Sequence, residues 1–232
     1  LNYSIMINKN ITASTIEIEN QEYMTKVFGW MFAGLLSTAI VSYYVSMTIA
    51  RINPIVFFMA VLLEFFLVYR IARYVMSMSV NMATGTFIFY SALNGFTLSG
   101  LFHVYTAESL TTTFLITASI FGFMAFYGYT TKRDLTGMGN FMYMGLFGII
   151  IASLVNWFLN SPMIHFLTSI IGVIVFTGLT AYDVQKILKM NIIGNSGTDE
   201  DTKEAILGAL ILYLDFINLF IMLVRLFGQR RN

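Results

Sequence analysis

The chain has 232 residues, of which 57% are hydrophobic, 16% aromatic and 11% charged, with a formal net charge of +1. Soluble domains carry about 25% charged residues, so this composition lacks the polar material for a water-facing surface and fits a chain solvated by lipid. Basic residues never run beyond two adjacent positions (Lys132-Arg133, Arg230-Arg231), which excludes a nucleic-acid patch, and the absence of cysteine excludes disulfides and Cys-based metal sites.

A helical span needs about 20 apolar residues to cross about 30 Å of hydrocarbon. Residues 1–26 are polar and mixed in charge (Lys9, Glu17, Glu19, Glu22, Lys26) and read as an N-terminal tail, not a signal peptide. Span one lies between Lys26 and Arg51. Span two starts at Pro54, a residue suited to the first helical turn, and runs to Met76 with Glu64 inside it. Ser77, Ser79 and Asn81 suggest a loop, with span three from Thr84. Span four covers Ser109 to Thr131, and the charged turn Lys132-Arg133-Asp134 follows. Span five runs from Gly139 to Leu159, where Asn160-Ser161-Pro162 breaks it, and span six from Met163 to Lys189. Asn191 to Glu204 is rich in glycine, asparagine and acids and reads as a loop; span seven occupies Ala205 to Phe227. Residues 27–227 therefore form one seven-helix transmembrane domain, and 228–232 a short basic C-terminal tail.

Helices follow from the solvent, because an unpaired backbone amide in lipid costs several kcal/mol. A barrel would alternate apolar and polar residues along strands of about 10 residues. Phe147-Gly148-Ile149-Ile150-Ile151-Ala152 does not alternate. The fold class is an all-α integral membrane protein.

Orientation follows from Lys and Arg around the spans. The tail and the loops after spans two, four and six hold Lys9, Lys26, Arg70, Arg73, Lys132, Arg133, Lys186, Lys189 and Lys203; the opposite loops hold only Arg51. The count places the N-terminus in the cytoplasm. Arg225, Arg230 and Arg231 run against it, since seven spans put the chain end outside. Gly29 with Ala33, Gly95 with Ser99 and Gly148 with Ala152 have the spacing of close helix packing.

Charge near the bilayer centre costs about 2.5–3.5 kcal/mol on insertion scales, so intramembrane carboxylates are functional candidates. There are three: Glu64, Asp183 late in span six, and Asp215 near the middle of span seven. Two carboxyls brought together away from water cannot both be ionised cheaply and can share a proton. The alternative is that each aspartate is neutral and hydrogen-bonded to a neighbouring helix. Other candidates carry less. His103 and His165 both map outside, and two histidines fall short of the about three protein ligands of a zinc hydrolase. Thr97-Leu98-Ser99-Gly100 lacks the glycine two before a serine nucleophile, and Asp199-Glu200-Asp201 lacks calcium-loop spacing. No catalytic set emerges, and the chain reads as a non-enzyme.

The segments Gly178-Leu-Thr-Ala-Tyr-Asp183-Val-Gln-Lys186 and Leu212-Tyr-Leu-Asp215-Phe-Ile-Asn218-Leu-Phe together resemble the paired signature of the Bax inhibitor-1 family, the transmembrane Bax inhibitor motif proteins. Asn94-Gly-Phe-Thr-Leu-Ser99, Gly128-Tyr-Thr-Thr-Lys-Arg-Asp134-Leu and Gly148-Ile-Ile-Ile-Ala-Ser-Leu-Val-Asn156 agree, in the right order and spacing over residues 20 to 228. The resemblance implies a seven-helix bundle with the last helix central, in a bacterial inner membrane. It implies Asp183 and Asp215 as a facing pH-sensing pair and Glu64 as the acidic residue of the ion pathway. It also implies a proton-sensitive calcium leak, with calcium passing transiently by these carboxylates as the permeant ion and no bound cofactor. The family's bacterial pattern places an arginine eleven residues after that glutamate, where this chain has Val75. Arg70 and Arg73 are the candidate replacements for that latch, at a different helical phase. The expected mechanism is that the ionised pair holds a cation from span two and protonation releases it. Partners are then the bilayer, calcium and protons. The alternative is a non-transporting scaffold that restrains another membrane protein, such as a quality-control protease.

Overall fold

Apolar stretches of this length must satisfy their own backbone hydrogen bonds in lipid, and a helix does so within one segment. The computed structural model of the protein describes residues 13–49 and 52–231. In chain order the helices are α1 (Ala13–Thr48), α2 (Pro54–Tyr74), α3 (Val80–Leu98), the short α4 (Leu101–Val104), α5 (Ala107–Thr130), α6 (Thr136–Leu159), α7 (Pro162–Met190) and α8 (Asp199–Phe227), with a 3-10 turn at Val75–Ser77. Among the described residues, seven helical segments are long and apolar enough to cross a membrane, α3 and α4 together forming the third. The expected all-α seven-helix bundle is observed. Lys9 with the rest of residues 1–12, Arg51 and Asn232 lie outside the described residues.

The last helix is central. It packs against α1, α2, α3, α5 and α7, and 67% of its apolar stretch is buried, against 6% for α6, which rests on α7 at the edge. Large apolar side chains such as Phe65, Phe123, Phe141 and Trp157 point outward, as lipid-facing residues do.

Three boundaries differ from those expected, each because a polar residue caps or ties a helix. Residues 13–26 are helical and continuous with span one, not a tail. Glu19 accepts from the Gly194 amide (2.6 Å), Glu22 from Ser196 Oγ (3.0 Å) and Asn20 from Asn191 (2.9 Å), so this segment is tied to the α7–α8 loop. Ser77, Ser79 and Asn81 do not form a long loop. Ser79 is the N-cap of α3, accepting from the Met82 amide, and the helix runs from Val80. The expected loop 191–204 ends at Thr198, which caps α8 by accepting from the Asp201 amide. Asp199, Glu200 and Asp201 are that helix's first turn, where acidic side chains complement the helix dipole.

The small-residue pairs divide. A methyl on Gly95 would stand 2.6 Å from the Thr38 carbonyl oxygen, so α1 and α3 approach closely there. Gly29 and Gly148 have no neighbour within 4 Å, so the packing expected at those two is not made. Between α6 and α7, Asn160 takes the left-handed conformation (φ 48°), which asparagine tolerates better than most residues, and Ser161 and Pro162 restart the helix. The chain end is pinned. The Thr106 amide donates to the Gln229 carbonyl (3.0 Å), and Arg231 N donates to the Val104 carbonyl (2.9 Å).

Candidate functional site

Residues 183 and 215 meet because α7 and α8 are adjacent helices, joined by a short loop, that pack along much of their length. Asp183 is 2% exposed and Asp215 5% exposed, and their carboxyls are near enough to interact across the seam. Two ionised carboxylates repel, so this contact fits a pair holding one proton. Tyr143 on α6 donates to Asp183 Oδ1 at 3.1 Å, while Asp215 Oδ2 is buried with no hydrogen-bond partner. The cation beside the pair is Lys186, one turn after Asp183, which acts on both carboxyls. Its ammonium stands 5.8 Å from the Tyr143 ring and 6.0 Å from the Tyr182 ring, and these two rings meet edge to face at 5.9 Å. Gly139 lets Tyr182 lie against α6, since a Cβ there would collide with the ring.

The end of α7 that carries Asp183 is also tied to the loop between α5 and α6. Two residues on, Gln185 accepts from the Leu135 amide (2.9 Å) and donates to the Arg133 carbonyl (2.8 Å), while Lys189 pairs with Asp134 at 3.3 Å. The Asp134 carboxyl is held below its ordinary value, first by the Thr136 hydroxyl, then by the Thr136 amide and by Lys189.

Glu64 stands apart from the aspartates. Thr97 Oγ1 donates to it at 2.8 Å, and Asn94 lies near it, so its polar neighbours come from α3. Asp215 faces α7, whereas Tyr213, two residues earlier and therefore on nearly the opposite side of α8, bonds Thr38 at 2.6 Å and packs on Tyr90 at 5.7 Å. The structure thus places one polar site on each side of the central helix.

Arg70 and Arg73 are not brought to the aspartates. Arg70 points to Met82 Sδ (3.7 Å), Arg73 stands 6.0 Å from the Tyr74 ring, and neither forms an ion pair among the described residues. The two histidines lie apart: His103 contacts the Ser99 carbonyl, and His165 sits beside Arg225 and Arg230. Sequence reasoning missed Tyr143 and Lys186. It also missed the buried start of α8. Asp201 is 1% exposed and takes Lys26, while Lys203, expected in a loop, is 7% exposed and reaches the Met76 carbonyl at 3.4 Å. The one available signal was helical spacing, which sets Lys186 on the face of Asp183.

Seven membrane-length helices among the described residues, the last of them central, with a carboxyl pair buried beside it, define a polytopic membrane protein with an ionisable core. The chain belongs to the family described as Inhibitor of apoptosis-promoting Bax1 (Bax1-I), whose pattern matches residues 20–232. It is 48% identical over 217 residues to the inner membrane protein YbhL of Escherichia coli (strain K12), covering 91% of this chain and 93% of that protein. It is 49% identical over 232 residues to an uncharacterized protein of Borreliella burgdorferi (98% and 100% covered). An uncharacterized protein of Rickettsia prowazekii is 41% identical over 249 residues, with 100% of each covered.

Proposed function

We propose that this protein is a proton-sensitive calcium leak of a bacterial inner membrane, with a cytoplasmic N-terminus and Asp183 and Asp215 as its sensor. The observation that carries the reading is two buried carboxyls brought close to each other across the α7–α8 seam, with one oxygen, Asp215 Oδ2, left unpartnered. An arrangement so costly to bury is the kind kept for a proton-dependent task. The YbhL relative, named an inner membrane protein, and the distribution of Lys and Arg support the location and orientation.

In the mechanism, the pair carrying one proton has a net negative charge that Lys186 and Tyr143 address, and α7 stays packed on α8. A second proton removes that charge. The hold of Lys186 across the seam is lost, the helices separate, and a cation passes through the core with Glu64 as a carboxylate waypoint. Lys186 takes the place of the arginine expected from span two.

Calcium flux into dye-loaded liposomes containing the purified chain, read at several pH values, tests this. Flux should rise as pH falls, and the D183N/D215N variant should lose the pH dependence. A pH response unchanged in that variant would sink the sensor. Absence of flux at every pH would sink the leak and favour a non-transporting regulator that binds another membrane protein.

A further inference from the structure

At the end of the bundle opposite the carboxyl pair, the α6–α7 turn and the end of α8 line an open cavity of about 340 Å³. Its polar lining is Asn156, Asn160, Ser161, His165, Arg225 and Arg230, with no carboxylate. Neither arginine has an acidic partner among the described residues. Arg225, in the last turn of α8, also complements the helix dipole, but Arg230 lies beyond the helix and needs another reason. Its backbone is not free to trail, because the residues on either side of it are hydrogen-bonded to the turn after α4 and it bridges Tyr105. Gln229 N also donates to Ser109 Oγ at 2.9 Å.

The donors outnumber the acceptors. Asn156 Oδ1 is already taken by the Ser161 amide (2.8 Å), which leaves its NH2 group, two guanidinium forks and the Asn160 carboxamide for a guest. A planar fork matches phosphate oxygens in pairs. The end of the bundle fits as well: Trp157 and Phe158, which follow Asn156 in the chain, are exposed by 72% and 81%, as aromatic residues are where hydrocarbon meets headgroups. The cavity also accounts for arginines at the chain end that the orientation count disfavours.

We infer that this cavity binds a phosphate group at the membrane surface, of a lipid headgroup or of free phosphate. The site is independent of the carboxyl pair and of the leak.

Native mass spectrometry and thermal unfolding of the purified chain test it, with phosphatidylglycerol, a phosphate-free glycolipid and inorganic phosphate as probes. Wild type should retain phosphatidylglycerol over the glycolipid, and R225Q/R230Q should lose at least about tenfold of that affinity, as expected when charged hydrogen bonds are removed. Size-exclusion elution checks that the variant is folded; if it is not, R230Q alone, which alters a residue outside the helices, carries the test. Retention of phosphatidylglycerol unaffected by inorganic phosphate assigns the lipid. Stabilisation by inorganic phosphate without lipid retention assigns the free anion. Equal binding of the glycolipid, or undiminished binding by a folded variant, overturns the site.

Discussion

Tyr143 on α6 donates its phenol hydrogen to Asp183 on α7, 3.1 Å from Oδ1 and 3.5 Å from Oδ2. The bond ties the edge helix to the helix that faces the core. An asparagine at 183 keeps an acceptor for the phenol and a donor for Asp215, whereas an alanine strands both. D183A should therefore be less stable than D183N by about 1–3 kcal/mol, the cost of leaving buried polar groups unpaired. Unfolding in detergent, followed by temperature or denaturant, measures the difference; equal stabilities would mean that the pair is not held as described.

Among the described residues Lys186 is the one cation placed to act on both aspartates, so its removal should loosen the closed state without touching the carboxyls. K186Q should raise calcium flux at neutral pH several-fold and flatten the pH response. R70Q and R73Q, whose side chains lie elsewhere, should leave both unchanged. If the arginine variants alter the response and K186Q does not, the latch belongs to span two after all.

Predominantly apolar stretches bounded by Lys, Arg, Pro or Asn made the seven spans legible, because insertion into lipid is decided largely by local composition. Asp183 and Asp215 stood out for the same reason: in a chain with 11% charged residues, an acid within a span has no routine surface role. What stayed hidden depended on tertiary contact. Tyr143 is one of 13 tyrosines, and nothing in its neighbourhood marks it as the donor to Asp183. Asp199 to Glu204 reads as a polar loop, yet Thr198 caps it into a helix and Lys26 comes from 175 positions away to meet Asp201. The position of Arg70 and Arg73, six and nine residues beyond Glu64, could not reveal which helix their side chains face.

Two ion pairs at the same end of the bundle should behave differently. Lys26 meets Asp201, whose side chain is 2% exposed, whereas Lys189 and Asp134 are 60% and 69% exposed. K26M leaves a buried acid with only the Gly197 amide (2.8 Å). It should cost more than about 1 kcal/mol, and less than the ~3–5 kcal/mol of a wholly buried pair, because Lys26 is itself 35% exposed. K189M should leave the melting temperature within error, as water screens that pair.

Asp134 also supplies a control for the pH response. Its carboxyl is held below the ordinary value by Thr136 and Lys189. A lowered folded value gives stability that is present above the unfolded value and lost only as pH falls through the folded one. That window lies in acid, below the ordinary carboxylate range, so Asp134 is ionised throughout the neutral region. D134N should leave the flux–pH curve between pH values of about 6 and 8 unchanged. A curve displaced by D134N would assign part of the sensing to the α5–α6 loop.

The seam between α5 and α7 rests on the absence of a single methyl. A Cβ on Gly128 would collide with the backbone carbonyl of Ala181, two residues before Asp183, and backbone cannot rotate away as a side chain can. Gly122, six residues earlier on α5, has nothing within 4 Å. Alanine favours a helix over glycine by about 0.5–1 kcal/mol, so G122A should be neutral or slightly stabilising. The same substitution at 128 should destabilise by about 1–3 kcal/mol, the range for overpacking a close contact. It should also displace Asp183 relative to Asp215, so that in liposomes G128A alters the pH response of flux while G122A does not. Melting curves and flux profiles for the two variants, compared side by side, test the contact; equal behaviour would show that α5 does not set the position of the carboxyl pair.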